Sequence, residues 1–368
     1  MNIRGLTLII TDRCNYNCTY CYKPGGKEFM KYSTLQTALV FFLPLLDRNY
    51  CLNFYGGEPL LHFELIKKFI PFIERKSRVL HKKPRFYITT NGSLITKDIL
   101  RFLNYYKFSV ELSFDGLDQD LNRKRGSFCQ IVSSIKEILD YPGIKLEVNS
   151  VFTPDTIGHL SESIRLVLGL GVRNVHYSLS TGRAWDEHSL LTFAEEMKET
   201  KKIALNDYER TGSISIANFK EGLKKGIFYC AAGKDRLAIA PNGSIWGCYL
   251  FSDRFGQMEN TREFQKYSFG GVVDFVKNHK KTYSRILSNY AELTMDNFYT
   301  DNTLCIFCSE LENCAVCPVV ASFSGRSLGK IPKYICEIQK NKIKEKKLFW
   351  EEIGHVKKSL YYHHRELS

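Results

Sequence analysis

The sequence has no apolar run long enough to cross a bilayer. VFFLPLL (40–46) is too short for that and carries Pro44. The opening stretch MNIRGLTLII lacks the apolar h-region and small-residue cleavage site of a secretory signal. Anionic charge is in deficit: 39 Asp and Glu stand against 52 Lys and Arg, a net charge of +13. The lysines are spread along the chain and are densest near its C-terminus, the pattern of solvated faces. These shortages give no ground for a membrane or nucleic-acid partner, and they lead us to expect a cytoplasmic protein. A length of 368 residues with 44% apolar content suits one large domain and a smaller one.

What the chain has in quantity is cysteine, twelve residues in all. In a cytoplasmic protein that many thiols argue for metal rather than for disulfides. Cys14, Cys18 and Cys21 lie in TDRCNYNCTYCYK with the spacing Cys-x3-Cys-x2-Cys. Thiolates are the usual ligands of iron–sulfur centres, which normally take four. No fourth cysteine lies close by, so a cluster held here keeps one iron open for a substrate or cofactor. The competing readings are a zinc site, which would want a fourth ligand nearby, or buried free thiols.

Strand and helix signals alternate through the first 180 residues. Strands are expected at LTLIIT (6–11), YCLNFY (50–55), RFYITT (85–90), KFSVELSF (107–114), IKLEVNSVF (144–152) and VRNVHYSLS (172–180). Helices are expected between them. One starts at Ser33 as N-cap, one is bent at Pro71, and one ends at Gly171. Six such units imply an α/β fold with a parallel sheet and right-handed crossovers, an open six-unit relative of the TIM barrel. In such barrels the chemistry sits at the C-terminal ends of the strands. The cysteine loop, Gly56-Gly57-Glu58-Pro59, Asn91-Gly92 and Asp115-Gly116 all fall there. Each dipeptide or turn also has an ordinary reading as a loop signal.

The character changes after a long amphipathic helix over 189–210. LAIAP and SIWGCYLF alternate as two strands around Asn242-Gly243, a hairpin signal, and Cys230 and Cys248 flank the pair. Cys305, Cys308, Cys314 and Cys317 follow, then Cys336. The five-residue gap between the two Cys-x2-Cys pairs is shorter than the ~15–20 residues of the usual four-cysteine zinc pattern. Iron–sulfur ligation tolerates such tight runs. Cys51 and Cys129 read as small buried apolar residues in a strand and a helix.

The first 180 residues resemble the radical S-adenosylmethionine (SAM) superfamily. The three-cysteine motif matches in full, including the aromatic Tyr20 before the third cysteine. The resemblance implies a partial (βα)6 barrel and a [4Fe–4S] cluster on Cys14, Cys18 and Cys21 whose open iron binds SAM. It implies that Gly56, Gly57, Glu58 and Pro59 hold the SAM amino group, through backbone carbonyls and the Glu58 carboxylate. Ser113 and Asp115 take the position that contacts the ribose. Arg123, with Arg125 as its rival, is the candidate for the SAM carboxylate. Tyr20, Asn91 and Leu179 are candidate neighbours of the adenosyl group. Residues 230–336 resemble the SPASM extension of radical SAM enzymes that modify peptides and proteins. By that resemblance Cys305, Cys308, Cys314 and Cys336 hold an outer auxiliary iron–sulfur cluster. Cys230, Cys248 and Cys317 hold an inner one, although the Cys314–Cys317 gap is one residue shorter than the pattern. The implied division is a barrel with a bridging helix over 1–211, a small cysteine-rich domain with a β-hairpin over 212–338, and a C-terminal helix and tail over 339–368.

The function implied is that of a radical SAM peptide maturase. Reductive cleavage of SAM would give a 5′-deoxyadenosyl radical that takes hydrogen from a peptide side chain, with oxidative crosslinking or thioether formation as the outcome. Its partners would be a peptide or protein substrate and an external electron donor such as flavodoxin or ferredoxin. Cys14 lies so near the start that a leader-binding protein is expected as a separate chain. A formylglycine-generating sulfatase maturase is an alternative, but that family carries an Asp base directly after the second extension cysteine, where this chain has Tyr249, a candidate relay. A quinone-cofactor peptide maturase fits the spacing equally. A non-catalytic iron–sulfur electron carrier would have no need of the GGEP turn.

Overall fold

The structure, a computed structural model, describes residues 3–23, 25–220, 230–293, 298–300, 303–325 and 327–366, with side chains as far as residue 354. Its frame is one sheet. Six parallel strands, β1 (Ile3–Thr11), β2 (Leu46–Gly56), β3 (Lys83–Thr90), β4 (Ser109–Ser113), β5 (Lys145–Phe152) and β6 (Val175–Leu179), pair in sequence order. The helices between them are α1 (Tyr32–Leu45), α2 (Phe63–Val79), α3 (Lys97–Tyr105), the single turn α4 (Gln119–Asn122), α5 (Phe128–Leu139) and α6 (Leu160–Gly169). The long helix α7 (Glu187–Thr211) follows.

Local chemistry explains most of these boundaries. Thr96 and Asp186 cap α3 and α7 by accepting the Ile99 and Ser189 amide hydrogens. Gly171, at φ +96°, leads the chain out of α6. One detail differs from expectation, and one helix keeps its proline inside. α1 starts at Tyr32 after Lys31 with no side-chain cap, so Ser33 lies inside the helix. α2 runs as one helix through Pro71.

Alternation within the strands sorts side chains to two faces. In β4, Val110 and Leu112 are buried while Glu111 and Ser113 are half-buried on the other face. Glu147 and Asn149 stand beside them in β5 register, and His176 pairs with Asn149 across to β6. One face of this half of the sheet packs apolar side chains, and the other carries a polar stripe.

The sheet does not end at β1. Strand β7 (Arg236–Ile239) pairs parallel with β1 on the side opposite β2, so that Leu6 lies beside both Leu52 and Leu237. β8 (Ser244–Trp246) and β9 (Ser268–Gly271) extend it antiparallel, giving the order β6-β5-β4-β3-β2-β1-β7-β8-β9. The β7–β8 turn closes as expected at Asn242-Gly243: Gly243 adopts φ +87° and donates to the Ala240 carbonyl at 2.9 Å. The second expected strand, however, stops at Trp246. Gly247 passes under Tyr290, where an added Cβ would meet the ring at 2.5 Å, and α8 (Tyr249–Phe255) then begins.

Helices α9 (Arg262–Tyr267), α10 (Val272–Ala291), α11 (Pro318–Phe323) and α12 (Lys333–Glu366) complete the described chain. The Tyr290 hydroxyl accepts from the Gly247 amide at 2.8 Å and donates to the Tyr267 carbonyl at 2.7 Å, fully buried. Tyr290→Phe should lower stability by about 1–3 kcal/mol by orphaning both groups, seen as a fall in the urea midpoint at unchanged slope. Cys129 is exposed on α5, because Ile131, Ile135 and Ile138 take the buried face; it is not the core residue expected, and Cys51 is only half-buried. Among the described residues no helix is long and apolar enough to cross a membrane.

Candidate active site

The C-terminal ends of the strands open into one cavity of about 680 Å³. Cys14, Cys18, Cys21, Tyr20, Gly56, Gly57, Asn91, Ser113, Arg123 and Leu179 all line it, as do Tyr249 and Cys317 from the extension. Two glycines press the cysteine loop against the turn after β2. Gly56 has φ +153°, and a Cβ on it would stand 2.2 Å from the Thr11 carbonyl oxygen. A Cβ on Gly57 would stand 2.2 Å from the Arg13 carbonyl oxygen. The backbones also bond directly, Gly57 N–H to Thr11 O and Glu58 N–H to Arg13 O, both at 2.8 Å. Only glycine permits this approach.

Two of the candidate contacts lie outside the lining of this cavity. Glu58 is fully buried behind the turn, with Pro59 next to it, and neither lines the cavity. Its carboxylate accepts from Thr90 Oγ1 (2.8 Å), Leu60 N–H (3.0 Å) and Asn91 N–H (2.7 Å). It therefore bolts the β2 and β3 loops together, although burial pushes its carboxyl up to about 7 against the pull of the three donors. Asp115 is likewise fully buried and outside the lining. It accepts from Tyr20 Oη at 2.7 Å, Arg123 Nη2 at 2.9 Å and the Val151 amide at 2.8 Å. It orients two lining residues, Tyr20 and Arg123. Arg123 keeps its Nε without a partner. Asn91 reaches Cys14 Sγ at 3.8 Å and fixes its amide on Asn15 Oδ1 at 2.9 Å.

The donor sets fit iron–sulfur groups. Cys14, Cys18 and Cys21 are free thiols around one cavity, and burial pushes Cys18 up to about 11 with Arg123 opposing. Cys305 is pushed up to about 11 by burial and then by Cys314, Cys336 and Cys308, so these four thiols are neighbours. Burial followed by Cys317 and Cys230 raises Cys248, which gathers the other three. Among the described residues no three Cys, His, Asp or Glu side chains close on a single ion. Soft thiolates gathered in threes and fours suit a cluster, which is larger than an ion.

Several lining residues escaped the sequence reading. Glu111, Asn149, His176 and Ser178 belong to the polar stripe, and Lys342 enters from α12. Burial pushes Glu111 up to about 7, aided by Glu147, and burial with Lys342 brings His176 down to about 4. Alternation of polar residues in VELS, EVNS and HYS was a usable signal for the stripe; nothing in NKIKEKK distinguished Lys342.

The radical SAM superfamily model matches residues 8–182. The radical SAM cyclopropyl synthase TigE of Paramaledivibacter caminithermalis is 23% identical over 362 residues, 90% of this chain and 69% of that one. The solved structure of anSMEcpe with bound AdoMet and Cp18Cys peptide is 18% identical with a TM-score of 0.74, over 96% of this chain and 99% of that one. SuiB of Streptococcus suis bound to precursor peptide SuiA is 16% identical with a TM-score of 0.59, over 91% and 76%. At these identities the two structural matches speak for the fold. The family match, with the three-cysteine loop pressed against its GGEP turn, identifies residues 8–182 as a radical SAM domain, of the enzyme superfamily that works with a [4Fe–4S] cluster and SAM.

Proposed function

We propose that the protein is a peptide maturase that oxidises a peptide side chain. One observation carries this reading: the Cys14–Cys21 loop and Cys317 of the second thiol group open into the same cavity. A substrate there faces a radical source on one wall and an electron acceptor on another, as a net oxidation requires. Cys14, Cys18 and Cys21 would hold a cluster that, with SAM bound and the first electron from a donor such as flavodoxin or ferredoxin, would supply the hydrogen-abstracting 5′-deoxyadenosyl radical. The chain's own residues position and shield. The carbonyls of Gly56 and Gly57 suit an ammonium group, which has only donors to offer. Ser113 offers a short hydroxyl to a diol, and Asn91, Tyr20 and Leu179 wall the adenosyl side. Asp115 acts through Tyr20 and Arg123.

Burial holds the Tyr249 phenol protonated, so it serves as a donor or relay and not as the base of a sulfatase-type maturase. Cys305, Cys308, Cys314 and Cys336, and Cys230, Cys248 and Cys317, would hold auxiliary iron–sulfur groups that would supply an acceptor for the substrate's electron. A leader-binding protein on a separate chain remains part of the reading. The test is anaerobic reconstitution with iron, sulfide, SAM and reductant, with short peptides encoded beside the gene as substrates. We expect 5′-deoxyadenosine and a peptide lighter by two hydrogens; no 5′-deoxyadenosine from protein with intact clusters would sink the reading.

A further inference from the structure

The same cavity is also walled by the C-terminal helix, beside β6. Helix α12 supplies its wall: Ile335, Ile338, Gln339 and Lys342 all line the cavity and fall on one helical face. The helix is firmly seated. Lys201 of α7 pairs with Glu345 at 3.7 Å and with Glu352 at 2.6 Å, and Trp350 donates to the Phe219 carbonyl at 3.0 Å. Lys342 therefore enters the cavity on a fixed support. Its ammonium lies 5.4 Å from the centroid of the Tyr177 ring.

No carboxylate answers this cation among the described residues. Burial alone acts on Lys342, bringing it down to about 8, and no neighbouring anion raises it. The groups around it are neutral: His176 is held unprotonated by burial and by Lys342 itself, and Asn149 accepts from both His176 (3.0 Å) and Ser178 (3.1 Å). The two acids that line the cavity are committed elsewhere. Asp12 lies within the influence of Lys23, and Glu111 is bonded to Asn149 and drawn by Arg123. A buried unpaired ammonium is costly and is kept where an anion arrives to meet it.

The geometry points to Lys342 as the anchor of a substrate carboxylate, so that the peptide this enzyme modifies carries an acidic group beside its reacting residue. The inference rests on the peptide-maturase reading. SAM has a carboxylate too, but the cation felt at the cysteine loop is Arg123, which acts directly on Cys18, and Lys342 is not among the groups that shift Cys14 or Cys18.

The test is binding by reconstituted holoenzyme with SAM and no reductant. Random octapeptide pools, acetylated and amidated at their ends, each fix one Asp, Glu, Asn, Gln or Lys, and retained peptides are counted by mass spectrometry. A parallel pool with a free C-terminus separates a terminal carboxylate from a side chain. We expect the acidic or free-acid pools to be retained about tenfold over their amides, the discrimination of one charged hydrogen bond. Lys342→Gln should abolish that preference, Lys342→Glu should turn it toward lysine, and Lys342→Arg should restore it. A wild type with no acid preference, or K342Q that keeps one, overturns the inference. So does a tenfold loss of SAM affinity in K342Q, which would give the carboxylate to SAM. Nothing in this measurement needs SAM to be cleaved, so its failure is distinct from an absence of 5′-deoxyadenosine.

Discussion

Alanine at Gly57 should stop SAM cleavage as completely as alanine at Cys14. Cys14→Ala removes one of the three thiols proposed to hold the cluster, and no substitute thiol sits in its loop. Gly57→Ala leaves every ligand in place and acts by volume alone. Its methyl group would stand 2.2 Å from the Arg13 carbonyl oxygen and 2.9 Å from that of Asp12. Neither atom belongs to a flexible side chain, so the cysteine loop must withdraw. It would then lose the two 2.8 Å bonds that hold it to the turn. A misplacement of ~1 Å in a reacting constellation costs on the order of 10²-fold in rate. We expect 5′-deoxyadenosine formation to fall by at least about that factor. Iron content after reconstitution should also drop, since the same loop carries Cys14. Wild-type turnover in G57A would show that the two loops are not held by their close approach.

The second large effect is a gain. Burial, aided by Glu147, raises the Glu111 carboxyl from 4.5 to about 7 against the opposing pull of Arg123 and the hydrogen bond from Asn149. The folded chain therefore binds a proton between these values that the unfolded chain has released. Stability from this group is complete below about pH 4.5 and is lost as pH rises toward 7. The loss amounts to about 3 kcal/mol once Glu111 is fully ionised, an upper bound because water in the cavity eases it. Glu111→Gln keeps the shape and removes the titration. The variant should match the wild type at pH 5 and be more stable at pH 8, by up to about 3 kcal/mol. Thermal midpoints across pH 5–8 measure this; parallel profiles for the two proteins would refute it. If the carboxylate serves the reaction, the more stable variant will also be the slower one.

The barrel was legible because each of its units repeats the same local signals. An apolar run, a turn with Gly or Asp, and a helical period recur six times, and the structure places β1 to β6 on those runs. The cysteine loop and the GGEP turn were legible for a different reason: thiolate spacing and adjacent glycines have few other uses. Carboxylates were harder. Glu58 and Asp115 stand in motifs that suggest ligand contact, yet each is saturated by protein donors. Sequence shows that a carboxylate is present at a strand end; whether it turns outward or inward depends on which amides reach it first. The edge pairing of β7 with β1 was also out of reach. Leu6 and Leu237 are 231 residues apart, and a hairpin signal fixes the partner within the hairpin but not the sheet it joins. Lys342 lies further still from any local rule, since its meaning depends on a cavity that five strands and three helices build together.

That pairing has a consequence for the chain's history and handling. Because β7 covers the outer side of β1, the strand that carries the cysteine loop is an interior strand with a neighbour on each side. A polypeptide cut after residue 182 would keep the whole family-matching segment and still bare the backbone of β1 along Gly5 to Leu8. An uncovered row of amides and carbonyls invites pairing with another copy. The segment that looks autonomous by its motifs would thus be sticky in isolation, and β7 is the cover it would lack.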